Sequence, residues 1–420
     1  MTRISQALSG AACGLLGLSS APEAAAEPWD IDLGLMNYIE QDRNTGLEFL
    51  LHARRGLSGG DEVSLGVEID TLTGATPNGA TATNVVQTFT RASGDGSYRV
   101  DADELPTDDT HMDTRLAVEA GYRDQYTSDL SIGYEGHISM EFDYLSFGLG
   151  NDYSWDLNRR NTSLYLGFHG EYNRVHPVGN IPLPLAPMTP AGSLQNRRES
   201  ADTRTAAEIS LGLIQVIDAR SLFQLRYTRS HFGGYLTDPY KLLSVIDDEN
   251  PANLGATLEY RYENRPESRD LDTLYFAYKR EIGNDLLDLS LRLSRDDWGI
   301  TASALDLRYR YRLAGKDYLQ PHLRLYRQQE ADFFRYNLVI SESLPEHASA
   351  DTRLATFDAV TIGLKYGFAA DGEGMHSLAA EFYTQLGDSH PDEAVGLQRD
   401  QDLFPTLKTL VVRYLFSSRW

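Results

Sequence analysis

The stretch Leu305-Asp306-Leu307-Arg308-Tyr309-Arg310-Tyr311-Arg312-Leu313 alternates without a break, with apolar or aromatic residues at odd positions and charged residues between them. Successive side chains of a strand point to opposite faces, so the segment reads as a strand with one apolar and one polar face. Residues 409–420, written TLVVRYLFSSRW, repeat the pattern. Leu410, Val412, Tyr414, Phe416 and Trp420 share one parity, and Arg413, Ser417 and Arg419 share the other.

The same period recurs along the chain and predicts about sixteen strands. They fall at residues 29–40, 46–54, 62–71, 112–122, 128–135, 140–155, 162–174 and 203–217, then at 221–235, 271–281, 286–294, 300–313, 318–328, 356–368, 376–386 and 406–420. Fourteen or eighteen stay open, because 140–155 is long and 256–263 reads equally as a further strand or a loop hairpin. Most segments run about 9 to 15 residues, the length needed to cross a bilayer obliquely. One such face also fits a soluble sheet, but its repetition in every segment favours an all-β, antiparallel, up-and-down transmembrane barrel.

Composition points the same way. The 420 residues include 24 Tyr and 35 Gly, only 41% are hydrophobic, and mean hydropathy is −0.39. Beyond the N-terminus no run approaches 18 consecutive apolar residues, so a membrane could be crossed only by alternating strands. A formal charge of −23 disfavours nucleic acid, which needs clustered Lys and Arg. It suits a surface facing lipid and divalent-bridged lipopolysaccharide.

Residues 1–26 read as a secretory signal peptide, with Arg3 early, an apolar region through Leu15, Leu16 and Leu18, and Ala24-Ala25-Ala26 at the cleavage site. The barrel is then expected over residues 27–420. Cys13, the only cysteine, lies inside the leader, which leaves the mature chain without disulfide or thiolate chemistry. The first strand follows almost at once, so no plug domain of an energy-coupled transporter has room before it.

Connection lengths give an independent check. The long segments, at about 73–110, 176–201, 236–270, 330–354 and 388–405, all follow odd-numbered strands, whereas turns such as 218–220, 283–285, 314–317 and 371–374 follow even ones. Outer-membrane barrels keep both termini and short turns in the periplasm and long loops outside.

Several segments are also similar in wording to one family: Thr73-Gly74-Ala75-Thr76-Pro77, Glu141-Phe142-Asp143-Tyr144, Tyr235-Leu236-Thr237-Asp238-Pro239-Tyr240-Lys241, Asn264-Arg265-Pro266 through Arg269, Asp297-Trp298-Gly299 and Gln329-Glu330-Ala331-Asp332-Phe333-Phe334. They resemble an uncharacterised Gram-negative outer-membrane barrel family of about this length, carried as a domain of unknown function. The resemblance covers nearly all of the mature chain and implies a barrel in the bacterial outer membrane. It carries over no ligand and no catalytic residue. It also implies a periplasmic redox partner, of the thioredoxin-like or flavin-transferring kind. The last strand resembles the closing strand of such barrels, which implies recognition by the barrel-insertion machinery.

The polar parity supplies the candidate site. Arg292, Arg308, Arg310, Arg312 and Arg324 fall on one stretch of wall, interrupted by Asp288 and Asp306. Glu48, Glu68, Asp70, Asp113 and Glu119 fall roughly opposite, interrupted by Arg54 and Arg115. Such walls set up a transverse field that orders polar solutes, or they satisfy and hydrate one another. Asp238, Pro239, Tyr240 and Lys241 suit a structured loop that docks a partner or folds into the lumen, or simply a turn with one packed tyrosine. The acidic runs at 101–104, 108–109 and 247–249 are oxygen-rich but lack the spacing of an EF-hand, so solvated loops are the simpler reading.

Gly136-His137-Ile138-Ser139 has the His-x-Ser spacing of outer-membrane phospholipases, but Met140-Glu141 follows where that family has Asn-Gly. His52, His169, His176 and His231 stand alone, without metal-ligand spacing. No enzyme, metal or cofactor is therefore expected. The reading is a porin-like channel for passive passage of small polar or charged solutes. The alternative is a loop-plugged barrel that serves as a scaffold for a periplasmic or surface partner in a redox system.

Overall fold

The computed structural model describes residues 28–91, 96–369 and 374–419. The leader with Cys13, the turn residues 371–373 and Trp420 lie outside the described residues. Sixteen strands close into one antiparallel barrel. The first half comprises β1 (Asp30–Glu40), β2 (Asn44–Gly56), β3 (Glu62–Pro77), β4 (Thr107–Asp124), β5 (Leu130–Met140), β6 (Tyr144–Leu157), β7 (Thr162–Val175) and β8 (Asp202–Asp218). The second comprises β9 (Ser221–Gly234), β10 (Ser268–Ile282), β11 (Asp285–Asp296), β12 (Thr301–Arg312), β13 (Tyr318–Gln328), β14 (Phe357–Ala369), β15 (Met375–Gly387) and β16 (Leu407–Arg419). Each pairs with its sequence neighbours, and β1 pairs with β16 to close the ring, setting Leu33 against Phe416 and Leu35 against Tyr414.

The first long loop is shorter than the alternation implied. Residues 73–77 and 107–110 continue β3 and β4, with a register shift between Gly74 and Thr76. Thr and Pro in a Gly-containing run read as loop, but here the strands extend beyond the apolar band and have no need to stay apolar.

The barrel is apolar on the outside. Leu305, Leu307 and Tyr311 of β12, Ile362 and Leu364 of β14, and Leu47 and Phe49 of β2 are all exposed. Such a belt, repeated on every strand, far exceeds the few hundred Å² of contiguous apolar surface common on water-facing proteins. On β14 it runs from Val360 to Phe368, roughly 27 Å along the strand and about 21 Å in height at a tilt near 40°.

Polar groups mark both edges of the belt. At the loop end, outward Arg229 meets Asp272 and Asp270, and outward Arg327 meets Asp358. At the turn end a single device recurs. Asp61, Asp285 and Asp317 each accept a backbone N–H with one carboxylate oxygen, from Gln125, Arg312 and Ala369, at 3.0, 2.9 and 3.1 Å. The other oxygen accepts a tyrosine hydroxyl, from Tyr122, Tyr309 and Tyr366, at 2.8, 2.9 and 3.1 Å. The phenol ring faces outward while its hydroxyl is held at the edge, as suits an amphipathic ring at a membrane interface.

The buried apolar core sits in the loops. Phe89, Tyr98, Leu242 and Tyr262 form one cluster, Leu185, Leu243, Val245 and Leu338 another, and Trp298, Ile300, Phe333, Phe334 and Phe404 belong to a third. A hairpin of Gln87–Thr90 with Ser97–Val100 and a three-stranded sheet of Leu242–Ile246, Thr257–Tyr262 and Leu338–Val339 give these loops regular structure. The ambiguous 256–263 segment is thus an edge strand of the loop sheet and not a barrel strand.

Candidate functional site

Two features converge on the interior: a charged lumen and a folded cap over one end of it. The cap is built around the 235–267 loop, which leaves the barrel between β9 and β10. It reaches the 78–106 loop through Leu242 N–H to the Asn78 carbonyl at 2.7 Å, and the 176–201 loop through Met188 N–H to the Tyr260 carbonyl at 2.8 Å. It reaches the 329–356 loop through Asn264 N–H to the Ala348 carbonyl, and the 388–406 loop through Leu397 N–H to the Leu254 carbonyl, both at 2.9 Å. The 78–106 and 388–406 loops stand six strands away in either direction around the ring. A loop that bonds to both has crossed the mouth.

Asp238, Pro239, Tyr240 and Lys241 lie at the base of this loop. Asp238 folds the turn, its carboxylate accepting the Tyr240 N–H at 3.1 Å. Tyr240 donates to Asp143 in the short β5–β6 connection, and Lys241 donates to the Pro77 carbonyl. Around them six charges balance three against three. Arg265 binds Glu263 at 2.7 Å and Asp351 at 2.8 Å, while Arg353 binds Asp238 at 3.1 Å and also Asp351. Lys241 is buried beside them.

Burial alone pushes the Asp351 carboxyl up, but Arg353, Lys241 and Arg265 outweigh it and hold the group well below the usual carboxylate range. Glu263, wholly enclosed, is pushed up by burial despite Arg265. Burial also pulls Lys241 down. The motif therefore belongs to a packed ionic cluster that locks the 235–267 loop to the 329–356 loop. It neither hangs into the lumen nor forms a turn with only one packed ring.

Two of the acidic runs, 101–104 and 247–249, are likewise engaged. Asp247 caps the N–H groups of Glu249 and Asn250 at 3.1 and 2.9 Å, Asp248 accepts from Ser341, and Asp103 accepts from Gln401.

Below the cap, the ten charged wall residues lie on the inward parity. Glu48 faces Asp70 across β2 and β3, and Asp70 faces Arg115 across β3 and β4. Arg115 sits between Glu68 and Asp70 and binds both, so this side is partly neutralised. Asp113 and Glu119 follow the same face of β4, opposite Leu72 and Gly66 of β3.

On the other side, Arg292 faces Ala304, Asp306 faces Arg324, and Arg308 faces His322. Arg308 pairs with Asp306 at 3.2 Å, and Arg310 stacks over Tyr318 at 4.5 Å while bonding Gln320. Among the described residues, Arg292, Arg310, Arg312 and Arg324 make no ion pair. The cations thus form a column along β11–β13 that runs from beneath the cap to the turn end.

Two lumen clusters escaped the sequence reading. His322 bridges Asp306 and Glu381 at 3.1 and 2.9 Å, with Arg413 on the far side of Glu381. His169, which stands alone in sequence, stacks on His137. Both pairings join residues on different strands, so no local spacing announces them.

Among solved structures, the chain is similar to the siderophore receptor PirA from Acinetobacter baumannii, with TM-score 0.42 and 9% identity, over 86% of this chain and 53% of that one. It is also similar to a mutant of the ferric enterobactin receptor PfeA from Pseudomonas aeruginosa, with TM-score 0.44 and 11% identity, over 95% and 60%. A bacterial polysaccharide outer membrane secretin gives TM-score 0.44 and 7% identity, over 94% and 99%. The chain therefore spans little more than half the length of the receptors it matches. No curated protein sequence matches it. Residues 5–418 match the family model DUF3570, described as a protein of unknown function, and the chain belongs to that family.

Proposed function

We propose that the protein is a bacterial outer-membrane barrel sealed at its long-loop end, serving as a fixed scaffold for a periplasmic or surface partner. The apolar belt between two polar edges supports the membrane setting. The observation that carries the sealed reading is the 235–267 loop, hydrogen-bonded to each of the four other long loops across the mouth. A general diffusion pore needs a permanent opening there, and this loop is bound on every side.

Passage of small charged solutes is the second reading, favoured by the column of arginines, four of which make no ion pair among the described residues, facing a wall of carboxylates. Under it the cap opens or leaves a narrow path. Osmotic swelling of liposomes containing the refolded chain separates the two. The sealed reading expects no swelling with small anions or sugars, and swelling once residues 242–262 are replaced by a short Gly-Ser turn. Swelling of the unaltered protein overturns the seal and supports passage, with the arginines as its selecting wall.

A further inference from the structure

We propose that His137, His169 and Glu171, with Glu135 orienting the His169 ring, form a binding site for one divalent first-row transition metal of the Zn²⁺ type, on the lumen wall just beneath the cap. The inference is independent of whether the mouth is sealed.

The register of three strands builds the site. On β5, β6 and β7, His137 faces Gly148, which faces Glu171; in the adjacent row, Glu135 faces Gly150, which faces His169. Two imidazoles and two carboxylates therefore occupy the corners of a square, with a glycine at the centre of each row. The glycines make the convergence physical. A Cβ at Gly148 would stand 2.1 Å from His137 Cε1, and one at Gly150 would stand 2.4 Å from a Glu135 oxygen. Side chains on β5 and β7 are two strand spacings apart, roughly 9.5 Å, and meet only because β6 presents no side chain between them. The rings stack with centroids 5.5 Å apart and planes 6° from parallel.

The donor atoms are within reach of a common ion. Nitrogen and oxygen donors of His137, His169 and Glu171 all lie within 4.8 Å of one another. His169 Nε2 is 3.9 Å from Glu171, while the other ring nitrogen, Nδ1, is 3.5 Å from Glu135, which thus orients the imidazole from behind instead of sharing the ion. An ion held at about 2.1 Å by tetrahedral donors sets them roughly 3.4 Å apart, so side-chain movements near 1 Å complete the site. Imidazole nitrogens select Zn²⁺, Ni²⁺, Cu²⁺ or Co²⁺ over Ca²⁺ and Mg²⁺, which take oxygen ligands. Glu171 on the ion and Glu135 behind His169 balance the charge of the dication. Glu119, beside His137, and Glu208, beside His169, extend the negative surround.

The same geometry without metal is His169 held between two carboxylates, and the experiment must tell these apart. The refolded full-length barrel, with folding verified by heat-modifiable mobility, is dialysed against Zn²⁺, and bound metal is counted by mass spectrometry. Co²⁺ is then added, and its visible absorption reports coordination. The expected result is one equivalent of Zn²⁺, and a nitrogen-ligated Co²⁺ band that Zn²⁺ displaces and Ca²⁺ does not. His137→Gln and His169→Gln should each weaken binding by more than the roughly 10–100-fold that loss of an outer-shell partner costs. Gly148→Ala, which leaves every donor in place but intrudes on His137, should also weaken it. Absence of stoichiometric Zn²⁺ on the folded wild type overturns the site and leaves the ion pair. Binding unchanged in both histidine variants overturns it as well.

Discussion

The Leu242 N–H donates to the Asn78 carbonyl over 2.7 Å, joining a loop that leaves between β9 and β10 to one that leaves between β3 and β4. The bond is possible only because residue 79 has no side chain. Gly79 has φ of +96°, and a Cβ there would lie 2.5 Å from the Leu242 carbonyl oxygen. Gly79→Ala is expected to cost about 2 kcal/mol or more, through an unfavourable backbone conformation plus this collision. Hydrogen exchange should show faster exchange at residues 242–246 with the barrel amides unchanged. Unaltered exchange in the cap would mean that the loops are not held by this contact.

The ionic cluster makes a stronger demand. Asp351→Asn removes the carboxylate shared by Arg265 and Arg353 and leaves both cations with reduced compensation. Removing one partner from a buried charged network costs about 3–5 kcal/mol. The loss should appear as proteolytic nicking within residues 329–356 and 235–267, while the barrel keeps its heat-modifiable mobility. A resistant cap in this variant would show that its apolar clusters suffice alone.

The cap should also have a defined acid response. Asp351 titrates well below 3.8 when folded, so its contribution is present above that value and lost only as pH falls through the lower folded one. Glu263 runs the other way. Its folded value lies above 4.5, so acidification first protonates it in the folded cap without loss of stability. Exchange protection of cap amides should therefore persist through the ordinary carboxylate range and collapse only below it. Collapse already above 4.5 would contradict the assignment of Asp351 as the ionised centre.

The turn-end tyrosines allow a test of anchoring. Tyr366→Phe removes one hydrogen bond to Asp317 and should cost about 1 kcal/mol, whereas Asp317→Ala also uncaps the Ala369 N–H and should cost about twice that. Urea unfolding in lipid vesicles reads both. Equal losses would mean that the backbone cap contributes nothing.

The barrel was legible because alternation is local. Leu305 to Leu313 states its two faces within nine residues, and a closed ring repeats that statement on every strand. The cap was not legible, since its strands break the rule. Residues 241–247 are buried at every position, so Leu242–Ile246 has no polar face to mark it, and Leu338–Val339 is too short to show a period. The Asp238-Pro239-Tyr240-Lys241 motif announced a structured turn, but its partners Asp351 and Arg353 lie more than 100 residues onward. His137 and His169 were hidden for a related reason. Their meeting depends on two inward histidines on alternate strands and on glycines at the facing positions between, and that signal emerges only once the register is known.

The most direct test of the sealed barrel is single-channel recording of the refolded chain in a planar bilayer. Silence is predicted for the wild type, with steady steps appearing once residues 242–262 are replaced. Reversal potentials of those steps should shift when Arg292, Arg310 and Arg324 are neutralised. Steady open steps from the unaltered barrel would contradict the seal.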